Sequence, residues 1–118
     1  MEFKEAIKTG KELAEYFVYC CGEGEDYVSL IERLRDAKNR TTLAKAVYSL
    51  LRYGHLHLKE NMKNMNKERL DALFDFISTG EIFEVRRFYS SLVTYISVFE
   101  FDNIRKKQTY LMELLNQK

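Results

Sequence analysis

Apolar residues recur along this chain at spacings of three and four, and the clearest series, Ile82, Val85, Tyr89, Leu92, Ile96 and Phe99, alternates the two without a break. Such spacing keeps side chains on one side of an α-helix, whose period is about 3.6 residues. The chain contains no proline, so nothing in it forces a helix interior to break. The pattern predicts an all-α protein, a compact bundle of five to six helices in one domain over residues 1–118.

The first helix is expected from Phe3 to about Cys20, with Ala6, Ile7, Leu13, Ala14, Phe17 and Val18 as its stripe and Gly10 as the one interruption. Cys21-Gly22-Glu23-Gly24-Glu25-Asp26 reads as a loop, with Asp26 available to cap the next helix. That second helix turns Val28, Leu30, Ile31 and Leu34 inward, and Asn39 and Arg40 make the following turn. Thr41 or Thr42 is expected to cap a third helix whose inner face is Leu43, Val47, Leu50, Leu51, Gly54 and Leu58, with Gly54 a point where it kinks or ends. Asn61 to Asn66 is a polar connector, and Asn66 caps a fourth helix carrying Leu70, Leu73, Phe74 and Ile77. Gly80 is placed as the residue just past its end. The series from Ile82 to Phe99, with Phe83, Phe88, Val93 and Tyr95 on other faces, reads as a central helix apolar nearly all round. Its stretch from Val93 to Val98 also carries strand propensity. Asp102 or Asn103 is then expected to cap a last helix that turns Ile104, Leu111, Leu114 and Leu115 inward.

Composition narrows the class. With 118 residues, 46% of them hydrophobic and 14% aromatic, the chain is neither a disordered tail nor a low-complexity filament. No apolar run approaches the ~18 residues of a membrane span, and the first ten residues lack a signal-peptide pattern, so a soluble, cytoplasmic protein is expected. The formal net charge is only +1, which by itself argues against a polyanionic partner. The charges are segregated, however. Residues 1–32 hold three Lys against eight acids, and residues 33–69 hold ten Lys and Arg against three acids. Residues 70–104 carry two Arg against six acids, and residues 105–118 four cations against one acid. Near-neutrality is therefore a cancellation between blocks, and asymmetry of this kind marks interaction surfaces.

The basic block holds the candidate chemistry. Lys45, Arg52 and Lys59 recur every seven residues, and since an α-helix drifts only ~20° per heptad, they would line one stripe ~21 Å long. Arg33, Arg35, Arg40 and Lys63 extend it, interleaved with Tyr48, Ser49, Tyr53 and His55. Cations at helical spacing contact backbone phosphates, and aromatic faces stack on unpaired bases, so a sequence-independent nucleic-acid surface is expected. A solvated lysine-rich face is the plainer alternative.

Other chemistry is sparse. Cys20 and Cys21 are adjacent, which disfavours a mutual disulfide, and no second pair exists for a zinc site. His55 and His57 would share a metal only on an extended backbone, so neither metal nor cofactor is expected. Arg52-Tyr53-Gly54-His55-Leu56-His57 fits an Arg, four residues, then His, and resembles the catalytic motif of HEPN-type RNases, small all-α domains. That resemblance implies His57 as general acid or base and Arg52 on the phosphate. No phosphate-binding glycine loop, Ser/His/Asp order or carboxylate pair is present, and a non-enzyme is expected.

The run Tyr27-Val28-Ser29-Leu30-Ile31-Glu32-Arg33-Leu34-Arg35-Asp36-Ala37, followed by Leu43-Ala44-Lys45-Ala46-Val47-Tyr48-Ser49-Leu50-Leu51-Arg52, resembles the small subunit of archaeal type I-A CRISPR Cascade effector complexes over about a quarter of the chain. The family's asparagine-rich run is reduced here to Ala37-Lys38-Asn39. The resemblance implies a non-catalytic helical subunit that stacks with further copies and other effector subunits. Its basic face would contact the crRNA–target duplex or the displaced DNA strand. Arg33, Lys45 and Arg52 are the contacts it carries over. A protein-only helical adaptor is the remaining alternative.

Overall fold

A computed structural model describes residues 1–20, 25–58 and 66–117, and among them there are five α-helices and no strand. Helix α1 (Phe3–Glu15) runs directly into a π-helical segment (Tyr16–Cys20), and is followed by α2 (Glu25–Arg35), α3 (Arg40–Leu58), α4 (Lys67–Thr79) and α5 (Ile82–Asn116). The expected polar connector at Asn61 to Met65 and the loop at Cys21 to Gly24 lie outside the described residues. Asp26 falls within the first turn of α2, which begins at Glu25, so it does not cap that helix.

Helices α3, α4 and α5 are capped by side chains the sequence supplies. Asn39, rather than Thr41 or Thr42, caps α3: its Oδ1 accepts from the Thr42 amide at 2.9 Å while Thr42 Oγ1 accepts from the Asn39 amide at 3.1 Å. This reciprocal arrangement is a capping box with Thr in the place usually held by Glu or Gln. Asn66 caps α4, accepting from the Arg69 amide at 2.8 Å. Glu81 caps α5, its two carboxylate oxygens taking the Phe83 and Glu84 amides. Gly80 ends α4 with an extended backbone at φ −64°; there is no left-handed turn, and the missing Cβ matters because one would stand 2.5 Å from the Phe76 carbonyl oxygen.

The core forms where α5 lies along α1 and its π segment, with α3 closing the third side and α2 and α4 packed on α3. Leu13, Phe17, Val18, Leu34, Val47, Leu50, Leu73, Ile77, Phe88, Leu92 and Ile96 are fully buried or nearly so. Two glycines set the spacing. A Cβ on Gly10 would meet the Phe88 ring at 2.9 Å, so glycine lets α5 press its largest core side chain onto α1. Gly54 neither kinks nor ends α3, which continues to Leu58. The Tyr16 ring lies against the Gly54 backbone, where any Cβ would overlap the phenol oxygen.

Several inward assignments need correction. In α2 the buried stripe is Tyr27, Ile31 and Leu34, and Val28, one position over, is 53% exposed. In α4 Phe76 joins Leu73 and Ile77 in the core and packs edge-on to Phe88 at 5.8 Å. Helix α5 is not buried all round: Phe88 is in the core, while Phe83 is 65% exposed and Ile82 also faces outward. Val93 to Val98 is helical, its strand propensity overridden by packing on α1.

The largest departure is at residue 102. No helix starts there, because α5 runs on for 35 residues, about 52 Å at 1.5 Å per residue. The Asp102 carboxylate is engaged elsewhere, accepting from the Tyr19 hydroxyl at 2.8 Å and pairing with Lys106 at 3.1 Å. Beyond this point the helix leaves the bundle, and Ile104, Leu111, Leu114 and Leu115 are exposed rather than inward. The overhang explains a Cα radius of gyration of 15.6 Å. A chain of this length packed into a sphere-like domain would give about 13.5 Å.

Candidate nucleic-acid interface

The third helix presents two faces that its sequence divides cleanly. Leu43, Val47, Leu50 and Gly54 are buried, and Lys45, Tyr48 and Arg52 lie on the opposite side, with Tyr48 57% exposed. Because α3 passes unbroken through Gly54, Lys45 and Arg52 stand on one face about 10.5 Å apart along the axis. Tyr48 is one turn from each, its ring available as a stacking surface between two cations.

Helix α2 adds to this face. Packed on α3, it brings Arg33 to a shallow groove of about 340 Å³ shared with Asp36, Ala37, Thr42, Lys45, Ala46 and Ser49. Arg33 and Lys45, twelve positions apart in sequence, thus flank one groove. Among the described residues, Arg33, Lys45 and Arg52 make no ion pair. The acidic blocks pair instead with Arg35, through Glu100, and with Arg69, through Glu12.

Two other expected contacts are committed within the fold. Arg35 donates to Glu100 at 3.1 Å and to Ser97 at 3.4 Å, tying the end of α2 to α5. Arg40 donates to the Ile77 carbonyl at 3.4 Å, satisfying a carbonyl in the last turn of α4. Lys59 and Lys63 lie outside the described residues, as do the side chains of His55 and His57. The backbone carrying both histidines is helical, so the extended segment that a shared metal required is not formed. Among the described residues no cluster of His, Cys, Asp and Glu is suited to a metal ion.

A second hollow, about 420 Å³, adjoins the first across the α2–α3 turn and is lined by Lys38, Arg40, Tyr89 and Arg86 among others. Arg86 was not singled out by the sequence, since it lies in an acidic block; only its place on the outer side of α5 reveals it. Tyr89 forms the back of this hollow. Its hydroxyl donates to the Leu34 carbonyl at 2.8 Å, and desolvation, then the nearby Asp36, pushes its pKa above the ordinary phenol value. It therefore serves as a neutral donor fixing the end of α2, on which Arg33 depends for its position.

No described helix is long and apolar enough to cross a membrane. No protein-family model, curated protein or solved structure matches the chain.

Proposed function

We propose that the protein is a non-catalytic small subunit of an RNA-guided CRISPR effector complex that holds nucleic-acid backbone on the α2–α3 face. The observation that carries this reading is the cluster Arg33, Lys45, Tyr48 and Arg52. It is exposed, its cations make no ion pair among the described residues, and it offers cations beside an aromatic ring. Phosphates would sit along the cations and unpaired bases on Tyr48, giving binding that does not read sequence. Lys38 and Arg86 continue the basic surface around the α2–α3 turn. The resemblance of residues 27–52 to the Cascade small subunit supplies the assignment to an effector complex. In that setting the partners are crRNA, the target or displaced DNA strand, other effector subunits and further copies, in the cytoplasm.

A gel shift at about 50 mM salt with single-stranded DNA and an RNA–DNA hybrid tests the binding. The wild type should shift both, and the Arg33→Ala/Lys45→Ala/Arg52→Ala variant should lose most of the shift. An unshifted wild type would leave the protein-only adaptor. RNA cleavage abolished by Arg52→Ala and by His57→Ala would replace the reading with the RNase. Effector-complex genes flanking its own would support the CRISPR assignment, and their absence would remove it.

A further inference from the structure

From Phe101 onward the helix α5 carries a regular apolar seam whose side chains are exposed among the described residues. Phe101, Ile104, Gln108, Leu111 and Leu115 follow spacings of three, four, three and four. The four apolar members are 64%, 61%, 57% and 62% exposed, with Met112 and Val98 exposed on the edge. At 100° per residue the seam lies about 135° around the helix from Val85, Phe88, Leu92 and Ile96, the residues that α5 buries. Ser97, one turn before Phe101 on the seam's own side, accepts a hydrogen bond from Arg35 of α2 at 3.4 Å, so this face opens only from Phe101 onward.

We infer that this seam is the contact between two copies of the chain, joined as a parallel two-stranded coiled coil over residues 98–115. In heptad terms Phe101, Gln108 and Leu115 take the a positions, and Ile104 and Leu111 the d positions. A second copy, rather than an unrelated helix, follows from what stands in and beside the seam. Gln108 is the one polar residue in it, and in a parallel, in-register pair it meets its own counterpart. Each carboxamide offers both a donor and an acceptor, so two of them satisfy one another, the use that a single polar a position has in fixing register. The flanks agree. Glu100 at g and Arg105 at the following e are the positions that meet between parallel strands, and they carry opposite charges. An antiparallel pair would instead set Arg105 against Arg105 and Lys107 against Lys107.

Phe101, Ile104, Leu111, Met112 and Leu115, each more than half exposed, would all be covered by the second copy. Glu100 also pairs with Arg35 of its own chain at 3.1 Å, so in the dimer its carboxylate would lie between two guanidinium groups.

This inference does not rest on nucleic-acid binding. Sedimentation equilibrium across a concentration series should show wild-type mass rising from 14.1 kDa toward twice that value. Leu111→Asp should stay at the monomer mass while keeping its bundle, as read by thermal unfolding, and keeping the nucleic-acid shift of a single copy. In a Cys20→Ser/Cys21→Ser background, Leu115→Cys should oxidise to a disulfide-linked dimer, which parallel, in-register strands require. A wild type that remains monomeric up to roughly 100 µM overturns the inference, as does a trimer. Loss of dimer with nucleic-acid binding intact would leave the proposed function standing, and the reverse result would leave the dimer standing.

Discussion

The two halves of α5 are built from similar residues and behave oppositely. From Ile82 to Phe99 the helix presses Val85, Phe88, Leu92 and Ile96 into a core shaped to receive them, down to the glycine at position 10 that admits the Phe88 ring. From Phe101 to Leu115 equally regular apolar spacing faces solvent. What separates them is the reach of α1 and its π segment, which meet α5 at the Tyr19–Asp102–Lys106 cluster, where the Lys106 ammonium also lies 5.5 Å from the Tyr19 ring. Periodicity identifies a helix and an apolar face. It does not say whether the chain that covers the face is its own.

Substitutions along α5 sharpen this contrast. The largest effect is expected at Phe88, where truncation to Ala empties a fully buried ring site and should cost about 3–5 kcal/mol in denaturant unfolding. Gly10→Ala forces a Cβ against the same ring and should cost about 1–3 kcal/mol, although alanine is the better helix former by roughly 1 kcal/mol. Tyr89→Phe removes the donor that holds the Leu34 carbonyl and should cost about 1 kcal/mol. In the distal half Leu111→Ala should change the stability of the dilute protein by less than about 0.5 kcal/mol, because no bundle contact is lost. A distal substitution that destabilises the bundle as much as Phe88→Ala would break the contrast.

The smallest effect lies at the junction. The hydrogen bond from Tyr19, and then that from Lys106, hold the Asp102 carboxyl below the ordinary carboxylate range. A depressed folded pKa contributes stability that is present above the unfolded value near 3.9 and is lost as pH falls through the folded value. The difference in Tm between wild type and Tyr19→Phe should therefore be steady near neutrality and shrink in acid. A difference that grows on acidification would contradict the cluster's assigned role.

Much of this architecture is legible in residue spacing. The stripes of α1 and α3, the cap at Asn66 and the end of α4 at Gly80 follow from local chemistry that tertiary packing then reinforces. The errors have a common cause. Asp102 looks like a cap because capping residues and ordinary helix-surface acids are the same residues; only Tyr19, distant in sequence, decides between them. Val28 and Tyr27 are neighbours, and which one faces the core depends on the approach of α3. Gly54 was ambiguous because the reason for glycine there is the Tyr16 ring and no feature of α3 itself. For the interface, the heptad of Lys45 and Arg52 was readable from sequence. The joining of Arg33 to Lys45, the internal commitment of Arg35 and the presence of Arg86 required the helices to be placed.

One buried group stands apart from both halves. The Thr9 hydroxyl is fully buried and makes no hydrogen bond among the described residues, so Thr9→Val should leave stability unchanged or raise it by about 1 kcal/mol.

The proposed function requires that Arg33, Lys45 and Arg52 meet phosphates. The most direct measurement is the slope of log Kobs against log salt for a single-stranded oligonucleotide, taken by fluorescence anisotropy between about 50 and 200 mM salt on wild type and the triple alanine variant. Three lost phosphate contacts should make the variant's slope shallower by about 2 as well as weakening its binding. Equal slopes for the two proteins would mean that these residues touch no phosphate, and would contradict the account.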